Sequence, residues 1–188
     1  MLNNDLTILS KIEAGSARDM LAIDFETAQE TYKKGRAAPK CTTGSDIIDS
    51  LIGGGIEPGR LYLFYGVQES GVDVLIHMIL VNGLFPPEMG GLGGKAVYLN
   101  CGNYKYERTM LDAEFLCGLI RAAGFDPDEM LNRIYAVFAF SEEQEERALG
   151  EMRRLLQADP SIRLVIVHNI AKLFTAKEGT PNRNVTER

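Results

Sequence analysis

An α/β fold, with a mainly parallel sheet flanked by helices, is what this sequence predicts. Three observations predict it. Short runs rich in Val, Ile, Leu and Tyr recur at residues 60–65, 96–100, 134–138 and 163–168, the composition of strands buried on both faces. Longer stretches with apolar residues near helical spacing separate them at 74–84, 106–123 and 142–157. Strand and helix alternate at the spacing that parallel pairing requires, because parallel neighbours need a crossover.

The elements follow in order. Residues 1–40 read as a helical, polar segment ending in a linker, Ala37-Ala38-Pro39-Lys40, where Pro39 removes a donor and pushes its predecessor to an extended conformation. Within it Met20, Leu21, Phe25, Ala28 and Tyr32 lie near helical spacing. A core segment is expected over 41–175. Thr43-Gly44-Ser45-Asp46 turns the chain and caps a short helix over 47–52, which Gly53-Gly54-Gly55 ends. In the middle helix Met110, Leu111, Phe115, Leu119 and Ile120 form the apolar face. Ser141 and Gln144 form an S-x-x-Q capping pattern that opens the last helix. Residues 176–188 are polar and are expected to be a flexible loop or tail.

Composition narrows the function classes. With 188 residues the chain can bury one core. A net charge of -6 supplies no global field toward nucleic acid or anionic membrane. Cys41, Cys101 and Cys117 are widely spaced, with no C-x-x-C or Cys/His cluster, so neither a disulfide framework nor a metal site is indicated. The expectation is a cytoplasmic protein with reduced thiols, no signal peptide and no membrane span.

The chemistry-bearing window is Tyr65-Gly66-Val67-Gln68-Glu69-Ser70-Gly71-Val72-Asp73. An apolar run leads into Gly66, four residues intervene before Gly71, and an apolar helical run follows. That is the context of the phosphate loop G-x-x-x-x-G-K-[ST]. Val72 stands where the loop's Lys would be and Asp73 where its Ser or Thr would be. Val72 offers no cation, and Asp73 places a carboxylate beside the phosphates at a helix N-terminus that otherwise favours anions. On these residues alone, an ordinary strand–turn–helix connection and a phosphate loop stay equally open.

Several segments, in order, resemble the RecA/RadA recombinase family, most closely its archaeal RadA branch. Cys41-Thr42-Thr43-Gly44-Ser45, Asp49 and Leu51-Ile52-Gly53-Gly54-Gly55-Ile56-Glu57-Pro58-Gly59 are similar to the family's T-T-G-S…L-D…L-G-G-G-I-E-x-G segment. Glu88-Met89-Gly90-Gly91-Leu92-Gly93-Gly94-Lys95 resembles the loop before its next core strand, and Gly124-Phe125-Asp126-Pro127-Asp128-Glu129 its G-L-D-P-D-E motif. The resemblance implies a RecA-like P-loop NTPase core, C-terminally truncated because the second DNA loop and later strands are absent.

It also implies where the site is. Gly66, Ser70, Gly71, Val72 and Asp73 occupy the Walker A position, altered at two places, and Arg108 matches the adenine-stacking Arg. Asn100-Cys101-Gly102 stands where the family has D-T-E with its water-orienting Glu. His168 replaces the Walker B Asp, and a neutral imidazole is a poor magnesium ligand. Losing these groups together removes most of what phosphoryl transfer uses. No catalytic residue and no metal ligand are therefore assigned. No cofactor is required, and ATP with Mg²⁺ fits this loop poorly.

Phe25 and Ala28 match the family's F-x-x-A segment, which joins protomers by seating an aromatic and a small residue on a neighbour. The helix-hairpin-helix domain that precedes it in the family is missing or reduced to residues 1–22. The reading is a catalytically inactive RadA-like paralog, an interaction protein in recombination or repair. It engages an active RadA-type recombinase, or a second copy, through Phe25 and Ala28. The alternative is a nucleotide- or DNA-binding protein whose weak ATPase a partner protomer completes. Lys172, Lys177, Arg183 and Arg188 offer DNA only sparse contacts.

Overall fold

The computed structural model describes residues 26–67, 69–102 and 111–175. Phe25, Gln68, Arg108 and the tail at 176–188 lie outside the described residues. The chain divides into a unit at residues 1–37 and a unit at 38–188.

In the first unit, helix α1 spans Ala28–Ala37. Thr27 caps it. The Thr27 hydroxyl accepts from Glu30 N–H at 3.2 Å while the Glu30 carboxylate accepts from Thr27 N–H at 2.8 Å, the reciprocal box that satisfies two orphan donors. Ala28 sits exposed in the first turn, two residues before the capping Glu30.

The second unit opens with a clamp. Thr43 N–H and Thr43 Oγ1 donate to Asp49 Oδ1 at 2.8 and 2.7 Å, and Thr42 Oγ1 donates to Asp49 Oδ2. Burial pushes the Asp49 carboxyl up, but these hydrogen bonds outweigh it and hold it below its ordinary value. Ser45 caps helix α2, Asp46–Leu51, and Cys41 pairs with Ile56 in an antiparallel bridge.

Helix α3 spans Val72–Leu84, two residues longer at its start than expected, so Val72 and Asp73 are helical. A 3₁₀ turn at Pro87–Met89 and a glycine loop lead to strand β1, Lys95–Cys101. Gly91 is required there, since a Cβ would lie 2.0 Å from Phe85 O. Helix α4 spans Ala113–Ala122 and begins only after Asp112, whose carboxylate accepts from Phe115 N–H. The expected start at 106 lies outside the described residues, and Leu111 and Asp112 are not helical.

Helix α5, Pro127–Leu131, was not anticipated. Asp126 caps it and Pro127 stands in its first turn, a pairing that suits a helix start. Strand β2 is Ile134–Ala139, helix α6 Glu142–Ala158, strand β3 Ile162–His168, and helix α7 Lys172–Thr175. Ser141 accepts from Gln144 N–H as the capping pattern predicts, but the Gln144 amide reaches Phe140 N–H at 2.7 Å rather than the cap's own amide.

The sheet is parallel, in the order β2-β1-β3. Ala96 stands opposite both Ile134 and Leu164, and Asn100 opposite Phe138 and His168. Helices α3, α4 and α5 cover one main core: Leu80, Leu84, Phe85, Tyr98, Leu116, Ile120 and Met130 are buried together. Gly83 lets α3 approach the sheet, because a Cβ there would lie 2.6 Å from a Leu164 methyl.

One expected strand does not form. Among the described residues 60–65 join no strand ladder, and Leu61, Leu63 and Tyr65 are 98, 75 and 87% exposed. The composition is that of a buried strand. Burial requires neighbours on both edges and faces, and none of the described residues supplies them.

Candidate functional site

The loop that the resemblance marks as the phosphate site enters α3 at the C-terminal end of the strands. Gly71 caps the helix with φ +87, a left-handed conformation that glycine adopts without a Cβ penalty. Glu69 also takes positive φ, at +64, so the turn is tight. Ser70 folds back on Gly66: a Cβ at Gly66 would lie 2.3 Å from Ser70 Oγ. The loop's Gly66, Ser70, Gly71, Val72 and Asp73 are thus brought together. Arg108 lies outside the described residues.

Asp73 is the centre of the arrangement, and both histidines of the chain converge on it. His168, the last residue of β3, donates from Nε2 to Asp73 Oδ1 at 2.9 Å. Tyr98 O–H donates to His168 Nδ1 at 2.8 Å. These two partners assign the neutral Nε2–H tautomer. Burial lowers the His168 pKa below its ordinary value, and the Asp73 carboxylate offsets this only in part. His77 accepts from Asp112 N–H through Nε2 at 3.0 Å, which leaves Nδ1–H to donate to the Asp73 carbonyl at 2.6 Å. Tyr98 is fully buried between the two imidazoles, with ring centroids 6.2 Å from His77 and 6.0 Å from His168.

An Asp–His–Tyr chain can look like a nucleophile relay. Here the hydroxyl that ends it has no route to substrate, since Tyr98 is in the core. The arrangement ties α3 to β1 and β3.

At the end of β1 stand Asn100, Cys101 and Gly102. Asn100 Oδ1 accepts from Asn169 Nδ2 at 3.4 Å, and Asn169 has a left-handed φ of +62. The Cys101 thiol is pushed up to about 12 by burial and by neighbouring Glu145, so it is neutral and unreactive. Glu145 was missed in the sequence reading. It is 1% exposed on the first turns of α6 beside the Cys101 thiol, and among the described residues its two oxygens have no hydrogen-bond partner within the usual limits. Burial raises its pKa. The signal was available, for Glu145, Ala148, Met152 and Leu155 recur at helical spacing along the half-buried and buried positions of α6. No group of three or more His, Cys, Asp or Glu side chains fit to hold a metal occurs among the described residues. All three cysteines are free thiols, and no helix among the described residues is long and apolar enough to cross a membrane.

A three-stranded parallel sheet with a glycine loop feeding a helix at its carboxyl end defines a P-loop-type α/β core. Comparison with known proteins makes this specific. The Rad51 family model matches residues 36–180. The chain is 36% identical, over 162 residues, to the DNA repair and recombination protein RadA of Metallosphaera sedula, an alignment covering 86% of this chain and 48% of that protein. The chain belongs to the Rad51 family, within the RecA/RadA group. It spans about half the length of the relative it matches.

Proposed function

We propose that this chain is a catalytically inactive RadA-like member of the family, acting in recombination or repair as an accessory or regulatory interaction protein. One observation carries the reading: the Asp73–His168 contact at 2.9 Å. In the expectation drawn from the family, these two positions hold a hydroxyl and a carboxylate that serve Mg²⁺. In this chain the carboxylate and the imidazole satisfy each other, and Tyr98 satisfies the other imidazole nitrogen. The pair takes up one Asp73 oxygen, and with Tyr98 both His168 nitrogens, and Val72 brings no positive charge. This donor set does not fit Mg²⁺ with a triphosphate.

The working surface is then one of protein contact. Ala28, exposed at the start of a well-capped helix, and Phe25 just before it form the anchor for an active RadA-type recombinase or for a second copy. Binding to an active recombinase, compared among the wild type, Phe25→Ala and Ala28→Glu, tests this. Loss of at least tenfold in affinity with either substitution is expected; equal affinity throughout, or none in the wild type, removes the reading. Calorimetric titration with ATP and Mg²⁺ tests the inactive site separately, with no heat expected. Micromolar binding with turnover would instead support the reading in which a partner protomer completes a weak ATPase.

A further inference from the structure

Among the described residues Glu145 is the one buried acid. It is 1% exposed, and neither carboxyl oxygen has a hydrogen-bond partner. Its neighbourhood is dry. Cys101, beside it on β1, belongs to an apolar cluster with Leu99 and Ala139, against which Val137, Ala148 and Leu173 pack. The charged groups around it bring no compensation. The Cys101 thiol is neutral. On α6 itself, Glu142 adds like charge. On α7, Lys172 lies toward Gly102, its Cδ 3.6 Å from where a Cβ there would stand, and makes no ion pair with Glu145. His168 faces the other side of the sheet, bonded to Tyr98 and Asp73, because side chains alternate along a strand.

A carboxylate in this place would lose its water and gain neither a cation nor a donor. The start of a helix favours anions. That effect is small beside dry burial of an unpaired charge, and Glu142 and Glu143 already stand in the same turn. We propose that Glu145 is a proton latch: with α6 docked it is the neutral acid, and its ionisation, which releases a proton to solvent, is coupled to the first turns of α6 leaving the sheet. The coupling has a physical route. Glu145 N–H donates to the Ser141 carbonyl at 2.9 Å, so carrying this side chain out to water disturbs the turn that Ser141 caps. Opening also uncovers Cys101, which lies between Asn100 and Gly102 at the end of β1.

The sign follows from the burial. Desolvation raises the Glu145 pKa, with Glu142 adding to the rise and the Cys101 thiol opposing it. The stability linked to it is therefore full below the unfolded glutamate value near ~4.3 and is lost as pH rises through the docked value. Within that window a proton leaves with each opening, so the opening equilibrium gains up to about tenfold per pH unit. Above the docked value the gain stops. The direction is opposite to that of His168, whose contribution is lost as pH falls. The latch depends neither on nucleotide binding nor on the Phe25 and Ala28 anchor.

The test uses the full 188-residue chain and compares wild type with Glu145→Gln and Glu145→Met. Carboxyl-carbon NMR gives the titration, with Glu145 assigned by the signal that Glu145→Gln lacks; it is expected to ionise last among the glutamates. Amide hydrogen exchange at residues 145–149 gives the opening. The ratio of wild-type to Glu145→Gln rates is expected to climb by up to about tenfold per pH unit along that titration and then to level. Taking the ratio removes the intrinsic pH dependence of exchange, and His168, present in every chain, cancels. Glu145→Met is of similar length with no group to ionise, and it supplies the same reference where the buried Gln amide weakens the fold. Either of two results overturns the inference: a Glu145 carboxyl that titrates together with the exposed glutamates, or a rate ratio that stays level with pH against both variants.

Discussion

Two apolar stretches of this chain, seven residues apart, meet opposite fates. The helix Val72–Leu84 carries His77, Ile79, Leu80, Val81 and Leu84 into the core. Residues 61–65 are as apolar, and three of the five stand in water. Apolar character drives burial only where a complementary surface exists. For α3 that surface is β1, β3 and α4. For Leu61, Leu63 and Tyr65 the described residues contain none. An apolar run thus reports how much surface a segment needs covered, and says nothing of what covers it.

The largest effect separates those two stretches. Leu84→Ala, at a fully buried position, is expected to destabilise by about 2–5 kcal/mol from lost transfer energy and the cavity left behind. Leu63→Ala is expected to change stability by less than about 0.5 kcal/mol. Urea unfolding of the isolated chain measures both; similar losses would show that 61–65 is packed after all.

Gly83→Val probes the same helix from the other side. The added methyls meet Leu164, and overpacking of this kind costs about 1–3 kcal/mol. The same change at Gly71 would act through its left-handed φ instead, and would report on the loop rather than the core.

The buried polar chain is worth less but is diagnostic. Tyr98→Phe removes the donor to His168 Nδ1 and leaves that nitrogen unsatisfied, a loss of about 1 kcal/mol. The folded pKa of His168 is depressed, so the stability linked to it is full above the ordinary histidine value near ~6.5 and is lost as pH falls toward the folded value. Denaturant midpoints are expected to fall from pH 7 to pH 5 in the wild type and to stay flatter in His168→Gln. An unchanged slope in the variant would assign the pH dependence elsewhere.

The smallest effect lies at the far end of the strands. There Lys95 Nζ donates to Asp159 Oδ2 at 2.8 Å and contacts Tyr135 Oη at 3.3 Å. Hydrogen bonds from Lys95 and Ser161 hold the Asp159 carboxyl below its ordinary range. Its contribution is present above the unfolded carboxylate pKa near ~3.9 and is lost as pH falls below it. Asp159→Asn is expected to lessen acid sensitivity below pH 4 and to leave the pH 5–7 region as it was, separating this tie from His168.

Much of the architecture was legible in residue order. Three of the four expected strands and the three main helices appear near their expected positions, because period and capping are local signals. Ser45, Asp112, Asp126 and Ser141 each cap the helix that follows them. The short α5 escaped notice because five residues carry too little periodicity to register, though Asp126-Pro127 marked its start.

The site divides differently. The proposal that Val72, Asp73 and His168 stand where the family has other chemistry rests on residue order alone. That Asp73 and His168 answer each other depends on the fold, since β3 must run parallel to β1 and end beside the first turn of α3 before 95 residues of separation become 2.9 Å. The same holds for His77, whose two nitrogens are occupied by backbone groups from different elements, and for Glu145, buried by its place on α6. Local sequence determined which segments are helix and strand and which residues reach the loop, because caps, periods and motifs act within a few residues. Only tertiary packing decided which polar groups meet, and that Leu61, Leu63 and Tyr65 stay exposed among the described residues, because burial and pairing depend on surfaces brought from distant parts of a chain.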